Sequence, residues 1–393
     1  MKIAICGIRG IPASYGGFET FAEELSVRLV AKGHEVLVYG RTHVISHNEP
    51  YYRGVRIILL PAIRHKYLET PLHSLLCFID LCFRRADVVL VCNAANSPFA
   101  WLLRLAGLPV AINVDGIERH RAKWNKLGKL WYKLGEIASV KFANRLIADA
   151  QVIADYYAEQ YSVKAEVIRY GYNESCLEQE ITAKLDLSCS AVAPASSCVW
   201  NNEVCGSLGV SPNNYVLYVS RLEPENNAHV VIEAYNGLPQ RIRDSIPLVV
   251  VGDAPYAGSY IARLKRIAGP GVLFAGYRFG EAYRALQLGA RVYVQATEVG
   301  GTHPALVEAM GFANCIIANK TPENEEVLGD AGLLYEKNSS LALRKCLEDV
   351  LMDESALKRF RKLAHARART EFAWGKIVNE YEELLRLVAN VRA

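Results

Sequence analysis

A glycine-rich turn followed by a short helix carries the residues best suited to bind a phosphorylated ligand. The turn is Gly300-Gly301-Thr302, and the apolar pattern predicts a helix over residues 305–312. Consecutive backbone N–H groups at the start of such a helix bind phosphates or sugar hydroxyls. Glu308 lies one turn inside this helix, where a carboxylate can accept hydrogen bonds from the vicinal hydroxyls of a ribose. The stretch predicts a nucleotide site, with an ordinary Rossmann-like turn as the alternative.

Composition favours a two-domain globular protein. The chain has 393 residues, 51% hydrophobic and 22% charged, and contains no apolar run of about 18 residues that would predict a transmembrane helix. Its first residues, MKIAICGIRG, favour a strand and not a signal peptide. Ten scattered cysteines without CxxC pairs suit a reducing, cytoplasmic compartment and predict no metal site. The net charge of +4 gives no indication of nucleic-acid binding.

Short apolar strands alternate with helices in both halves of the chain, which predicts the α/β class with doubly wound parallel sheets. The first half is expected to form one domain over residues 1–172, and the second half another over 214–371. Residues 173–213 are small and polar and favour a linker with an insertion. The predicted strands of the first half are 2–6, 35–39, 55–60, 88–92, 110–114, 146–148 and 167–169.

Ligands of such sheets bind at the carboxyl ends of the strands, where several candidates lie. The loop after the first strand contains Gly16 and Gly17, but it lacks the GxGxxG pattern, and Tyr39-Gly40-Arg41 offers no acid for a nicotinamide ribose. An oxidoreductase is therefore disfavoured. Asp115 ends another strand just before a glycine, a position typical of a catalytic group or of a loop-capping aspartate. Glu118 and Arg119 follow it.

Taken together, these motifs resemble the nucleotide-sugar signature of retaining, family-4-like glycosyltransferases of the GT-B fold. The stretches VGGTHPALVEAM and DGxExxRAKW are most similar to a dTDP-rhamnosyltransferase subgroup of bacterial polysaccharide biosynthesis. The resemblance implies two Rossmann-like domains facing across a cleft. It also implies a C-terminal helix, residues 372–393, that crosses back to the first domain. The acceptor would bind to the first domain and the nucleotide sugar to the second.

The resemblance also implies roles for individual residues. Glu308 would hold the ribose and Arg221 the diphosphate, whereas Gly16 and Gly17 would lie beside the donor phosphates. Asp115 would face the reacting carbon, and Glu118 and Arg119 are acceptor-side candidates. No metal and no cofactor other than the donor substrate is implied.

Two positions depart from the family pattern. The first of the family's two glutamates falls on Gly300, and Glu298 is a candidate substitute. The family's lysine near the diphosphate falls on Asn226, so Arg221 and backbone amides would neutralise more of the phosphate charge.

A basic, aromatic-rich segment spans residues 119–145. Lys126, Lys129 and Lys133 share one helical face, and leucines lie around the other side. Such a helix can lie on an anionic membrane, and a solvated helix packed on the sheet explains the same pattern. The first alternative places the protein at the inner face of the cell membrane.

The function implied is transfer of L-rhamnose from dTDP-L-rhamnose to a lipid-linked saccharide in surface polysaccharide synthesis. Transfer from UDP-glucose, UDP-N-acetylglucosamine or another nucleotide sugar is the first alternative. A catalytically inactive, membrane-associated scaffold is the second, because the first glutamate and the lysine are missing.

Overall fold

A computed structural model describes residues 1–13, 16–47, 49–65, 67–121, 124–172, 178–186, 203–254 and 256–391. The chain forms two compact units. The first contains residues 1–170 and 374–393, and the second contains residues 171–373.

The first unit is built on an eight-stranded sheet, ordered β3-β4-β2-β1-β5-β6-β7-β8. All neighbouring strands are parallel except β3, which pairs antiparallel with β4. The central strands are buried on both faces, which explains their continuous valine, isoleucine and leucine runs. The strands are β1 (Lys2–Cys6), β2 (Glu35–Arg41), β3 (Tyr51–Tyr52), β4 (Val55–Leu60), β5 (Val88–Cys92), β6 (Val110–Asn113), β7 (Arg145–Ala148) and β8 (Ala165–Val167).

Helices cover both faces of this sheet. Helix α1 (Gly17–Ala31) packs on one face, and α2 (Glu69–Arg84), α3 (Trp101–Leu105), α4 (Lys126–Phe142) and α5 (Gln151–Tyr161) contribute to the core on the other face. The strand predicted at 167–169 lies two residues earlier, because β8 pairs with β7 from Ala165 onward.

The second unit contains a parallel six-stranded sheet, ordered β11-β10-β9-β12-β13-β14. Its strands are β9 (Val216–Val219), β10 (Leu248–Val251), β11 (Val272–Gly276), β12 (Val292–Gln295), β13 (Cys315–Asn319) and β14 (Leu333–Tyr335). Its helices are α6 (Glu178–Asp186), α7 (Glu203–Leu208), α8 (Ala228–Asn236), α9 (Gln240–Arg243), α10 (Gly258–Ile267), α11 (Gly280–Gly289), α12 (Pro304–Gly311), α13 (Pro322–Leu328), α14 (Ser340–Met352) and α15 (Glu354–Glu371). The predicted doubly wound α/β architecture is confirmed in both units.

The C-terminal helix, α16 (Trp374–Asn390), belongs to the first unit. It packs beside α1, where the rings of Trp374 and Tyr381 contact the ring of Phe21. The hydroxyl of Tyr381 accepts a hydrogen bond of 2.8 Å from Asn113 Nδ2 at the end of β6. The predicted return of the C-terminal helix to the first domain is therefore present.

Part of the segment predicted as linker and insertion is helical. Helix α6 packs on the second unit through Lys184, whose buried ammonium donates to the carbonyl of Phe312 at 3.0 Å and to Asn314 Oδ1 at 2.6 Å. Residues 173–177 and 187–202 of this segment lie outside the described residues.

The strand order of each sheet reverses at one point, between β1 and β5 in the first unit and between β9 and β12 in the second. At such a switch point the loops leave in opposite directions and open a crevice at the carboxyl ends of the strands. In the first unit the loops are tightly packed, since a Cβ on Gly7 would lie 2.2 Å from the carbonyl oxygen of Cys92.

This packing predicts that Gly7→Ala destabilises the first unit. The new methyl group adds about 1–3 kcal/mol of overpacking to the roughly 1–2 kcal/mol cost of a left-handed backbone at φ +89°. Gly33→Ala is the matched control, because Gly33 has φ +86° and a Cβ there would meet no described atom within 4 Å. Urea denaturation followed by circular dichroism should show the larger loss for Gly7→Ala. Equal losses would contradict the close approach of the two loops.

Candidate functional site

The loops after β9 and β12 meet at the switch point of the second sheet. The backbone N–H of Glu298 donates to the carbonyl of Glu225 at 3.0 Å. Arg221 follows β9, and its side chain is 34% exposed, with Nη2 3.7 Å from Glu223 Oε2. Glu223 is buried and accepts a hydrogen bond of 2.6 Å from the hydroxyl of Tyr256. An accessible guanidinium thus lies near a buried carboxylate in the loop after β9.

Asn226, at the position of the family lysine, has a structural role in this loop. Its side chain is buried and donates from Nδ2 to the carbonyl of Arg221 at 2.7 Å. Its own carbonyl accepts a hydrogen bond of 2.6 Å from the hydroxyl of Tyr218 in β9. Asn226 therefore fixes the backbone of the arginine loop and does not replace the charge of a lysine.

Two buried asparagines and one exposed asparagine connect the loops at this edge of the sheet. Asn227 Nδ2 and Asn319 Nδ2 each donate to the carbonyl of Ala296, at 3.1 and 3.2 Å. Both amides also donate to Asn338 Oδ1 at 2.8 Å. The backbone N–H of Asn338 returns a bond of 2.9 Å to Asn319 Oδ1. We call Asn227, Asn319 and Asn338 the asparagine bracket.

Glu308 lies on α12, directly beyond the Gly300-Gly301-Thr302 turn. Its Oε2 accepts a hydrogen bond of 2.6 Å from the hydroxyl of Tyr283 on α11, which in turn accepts one of 2.8 Å from Gln287 Nε2. Burial, and next the Glu308 carboxylate, raise the pKa of Tyr283 well above its usual value, so the phenol stays protonated and donates. Glu308 is held in one orientation and remains partly exposed.

A cation missed in the sequence analysis lies beside Glu298. Lys337 follows β14, and its Nζ lies 3.1 Å from Glu298 Oε1, with both side chains accessible to solvent. Its position after a strand end is the only signal in the sequence, and many surface lysines share it. Only the pairing of β13 with β14 brings Lys337 near the β12 loop.

In the first unit, Gly16 and Gly17 form the start of α1. Gly16 is the residue that caps the helix, and the carbonyl of Gly17 accepts a hydrogen bond of 3.1 Å from the hydroxyl of Tyr170. Glu19 is buried in the first turn and accepts a bond of 3.1 Å from the backbone N–H of Arg9. These contacts hold the loop after β1 against the helix. Ser14 and Tyr15 lie outside the described residues.

Asp115 lies just beyond β6 in a left-handed backbone conformation, with φ +58°. Its N–H donates to Asn113 Oδ1 at 3.0 Å, and its Oδ2 accepts a bond of 3.2 Å from Asn93 Nδ2. Asn93 follows the neighbouring strand β5 and has φ +68°. Residues kept in this sparsely populated region cluster at functional sites. Asp115 is thus bonded to the end of β5, one of the two strands at the switch point.

Glu118 and Arg119 form internal ion pairs. Glu118 Oε1 lies 2.6 Å from Arg121 Nε, and both side chains are nearly buried. Arg119 pairs with the buried Glu136 at 3.0 Å and donates to the hydroxyl of Tyr156 at 2.6 Å. Although burial opposes it, the bond to Tyr156 and the charge of Glu136 raise the pKa of Arg119. These contacts connect the loop after β6 with α4 and α5.

Helix α4 presents a basic groove and an apolar stripe to solvent. The groove has a volume of about 510 Å³ and is lined by Arg119, Lys126, Lys129, Leu130 and Lys133. The apolar stripe consists of the exposed side chains of Leu127, Leu130, Leu134 and Ile137. On the inner side of the helix, Trp131 donates from Nε1 to the carbonyl of Ala95 at 3.0 Å. Among the described helices none is both long and apolar enough to span a membrane.

Comparisons with known proteins agree with this architecture. Residues 15–174 match the family described as Glycosyltransferase Family 4, and residues 207–367 match Glycosyl transferases group 1.

Three curated relatives are similar to parts of the chain. An uncharacterised glycosyltransferase of Methanocaldococcus jannaschii is 27% identical over 180 residues, 44% of this chain and 45% of that protein. The O-antigen chain mannosyltransferase B of Escherichia coli is 28% identical over 41% of this chain and 42% of its own. An α-1,4-N-acetyl-D-galactosaminyltransferase of Campylobacter jejuni, named for a diphospho-undecaprenol-linked acceptor, is 27% identical over 50% of this chain and 53% of that protein. The chain thus spans about half the length of these relatives.

Solved structures resemble nearly the whole chain. Sucrose-phosphate synthase from Thermosynechococcus elongatus superposes with a TM-score of 0.78 at 18% identity and covers 98% of both chains. The Anabaena protein HepE, solved with UDP-glucose, has a TM-score of 0.74 at 15% identity and covers 98% of this chain and 100% of its own. These identities establish the fold alone. With a Glycosyltransferase Family 4 half followed by a Glycosyl transferases group 1 half, the chain belongs to the glycosyltransferases of GT-B fold.

Proposed function

We propose that this protein is a retaining glycosyltransferase that moves L-rhamnose from dTDP-L-rhamnose to a lipid-linked saccharide in surface polysaccharide synthesis. One observation carries the proposal. The switch point of the second sheet joins the loop of Arg221 to the loop that leads into α12 and Glu308. Arg221 and Glu308, which we propose for the diphosphate and the ribose, therefore belong to adjoining elements of one sheet edge.

The donor nucleotide is supported by the geometry of this edge. Arg221 can contact the diphosphate, the amides of Gly300, Gly301 and Thr302 lie at the start of α12, and Glu308 can accept hydrogen bonds from ribose hydroxyls. The choice of rhamnose rests on the subgroup resemblance of VGGTHPALVEAM. The relatives named as mannosyl- and N-acetylgalactosaminyltransferases favour a hexose donor as the second candidate.

The proposed reaction retains the configuration at the transferred carbon. The acceptor hydroxyl attacks on the face that the diphosphate leaves, and the departing phosphate oxygen takes the proton. Arg221 and the backbone amides stabilise the negative charge on the leaving group, as fixed donors do in other active sites. Asp115 stabilises positive charge at the reacting carbon or orients the acceptor. Gly16 and Gly17 provide close backbone approach to the substrates, and Glu118 and Arg119 support the acceptor-side loop.

A donor screen tests the proposal. The purified chain is incubated with lipid-pyrophosphate-linked N-acetylglucosamine and, in turn, dTDP-L-rhamnose, UDP-glucose, UDP-N-acetylglucosamine, UDP-N-acetylgalactosamine and GDP-mannose. Turnover with dTDP-L-rhamnose alone is the expected result. Turnover only with a hexose donor would favour the second candidate. Calorimetry with dTDP, UDP and GDP separates both candidate transferases from an inactive scaffold, which binds no nucleoside diphosphate.

Glu308→Ala should weaken binding of the nucleoside diphosphate by roughly 10- to 100-fold, because hydrogen bonds to a charged group contribute about 1.5–3 kcal/mol. Tyr283→Phe should have a smaller effect in the same direction, since it removes the 2.6 Å bond that orients the carboxylate. Titration calorimetry measures both. Glu348→Gln, which alters an accessible pair with Arg344 on α14, is the control. Unchanged affinity in Glu308→Ala would contradict the ribose assignment.

Asp115→Asn should lower kcat by about 100-fold or more, the scale of losing one stabilising group in an active site. Asparagine tolerates the left-handed backbone and can still contact Asn93, so the folded loop is retained. The affinity for nucleoside diphosphate should not change, because we propose the diphosphate site on the second unit and Asp115 belongs to the first. Steady-state kinetics and calorimetry on the same preparation measure the two quantities. A fully active Asp115→Asn enzyme would leave only the loop-capping role.

We also propose that the first unit binds the cytoplasmic surface of an anionic membrane. Helices α2, α3 and α4 pack on the same face of the sheet, so their outer sides point away from it together. Large apolar side chains are exposed there, with Phe83 84% and Leu105 79% accessible. The same helix layer carries the basic groove of α4 and the exposed leucines of that helix. Apolar residues at the acyl boundary and lysines at the headgroups are typical of interfacial helices.

Reversing Lys126, Lys129 and Lys133 to glutamate should weaken binding to vesicles containing phosphatidylglycerol by roughly 100-fold or more, at about 1 kcal/mol per cation. The control makes the same charge change at three exposed cations of α15 on the second unit, Arg359, Lys362 and Arg369. Vesicle co-sedimentation at fixed ionic strength measures the difference. Equal binding by the two triple variants would leave only the solvated-helix interpretation of α4.

A further inference from the structure

The turn between β12 and α12 contains an imidazole that the donor-site assignment has not used. His303 caps α12 in an extended backbone conformation and is partly exposed, next to the buried Thr302. It lies three residues after Gly300, the position at which the resembling enzymes have their first glutamate. In those enzymes that glutamate contacts the donor sugar.

The imidazole of His303 lies where a side chain at position 300 would begin. A Cβ built on Gly300 would be 2.6 Å from His303 Cε1, 3.3 Å from Nδ1 and 3.5 Å from Nε2. These three atoms belong to one edge of the ring, so in this rotamer the ring occupies the space that a side chain at position 300 would enter. The glycine therefore allows the histidine to lie against the turn.

Glu298, the acid nearest in sequence, has a different partner. Its Oε1 lies 3.1 Å from Lys337 Nζ, and its backbone N–H is bonded to the carbonyl of Glu225. The asparagine bracket holds the backbone on both sides, through Ala296 and through Asn338 next to Lys337. Moving Glu298 towards a ligand would cost this ion pair.

We propose that His303, and not Glu298, contacts the hydroxyls of the donor sugar and determines which sugar is accepted. This inference rests on the proposed nucleotide-sugar site of the second unit. An ionised carboxylate can only accept hydrogen bonds, whereas a neutral imidazole donates through one nitrogen and accepts through the other. A site with His303 in place of the acid also has one negative charge less beside the sugar. It suits a 6-deoxyhexose, with fewer hydroxyls to bind and an apolar methyl group that can pack on a ring face.

Calorimetry and kinetics on His303→Ala and His303→Asn test the inference. The probes are dTDP, dTDP-L-rhamnose, UDP and UDP-glucose, because each nucleoside diphosphate lacks the sugar that His303 is proposed to contact. In His303→Ala the affinity for the free diphosphates should change less than about twofold, which also shows that the turn is intact. The preference for the better donor over the other, measured as the ratio of kcat/KM values, should fall by roughly 10-fold or more. His303→Asn, which keeps a donor and an acceptor, should restore part of the preference.

Two results would overturn the inference alone. One is an equal loss of affinity for diphosphate and nucleotide sugar in both variants, because His303 would then only support the turn. The other is an unchanged preference in the His303 variants, because His303 would then not contact the sugar. A changed preference in Glu298→Gln would assign that contact to Glu298. If the unaltered protein binds neither diphosphate, the proposed function fails and the inference fails with it.

Discussion

Hydrogen bonds from buried asparagine side chains hold the strand-end loops of both sheets, and the candidate sites depend on them. A loop leaving a parallel strand has backbone groups that the sheet does not satisfy. The asparagine amide can donate and accept at once, so one side chain connects two loops. In the second unit the asparagine bracket joins the loops after β9, β12, β13 and β14. In the first unit Asn96 bonds the carbonyls of Gly7 and Cys92, at 3.0 and 2.7 Å, across the switch point.

The charges at the second switch point are arranged in pairs. Arg221 lies near the buried Glu223, and Lys337 lies beside Glu298, so each cation has a nearby acid while remaining accessible to solvent. Pairing orients the long side chains and lowers the entropy lost when an anionic ligand binds. The protonated Tyr283 fixes Glu308 in the same way. Rigid neighbours thus place the polar groups before any ligand arrives, which is what a selective site requires.

The two faces of the first unit differ in how completely the apolar side chains of their helices are buried. One face is covered by α1 and α16, whose apolar sides are buried together with Phe21 at their centre. The other face is covered by α2 to α5, and several large apolar side chains there remain exposed. Glu136 connects this layer to the loop after β6 through Arg119, Tyr156 and Tyr161. The exposed helix surface and the loop of Asp115 are therefore parts of one packed layer.

Apolar periodicity, glycine positions and strand-end polar residues were enough to predict the α/β class and to select Asp115 and Glu308 as site candidates. Arg221 was selected from the family resemblance, and the roles of all three residues remain predictions. These features are local, because each depends on spacing within one element or one turn. Partners distant in sequence could not be predicted: Tyr283 for Glu308 and Lys337 for Glu298. Contacts of this kind depend on strand order and register, which only the folded sheet decides. The place of His303 beside Gly300 is a local contact, but it depends on the path of the turn, which the composition of the turn does not determine.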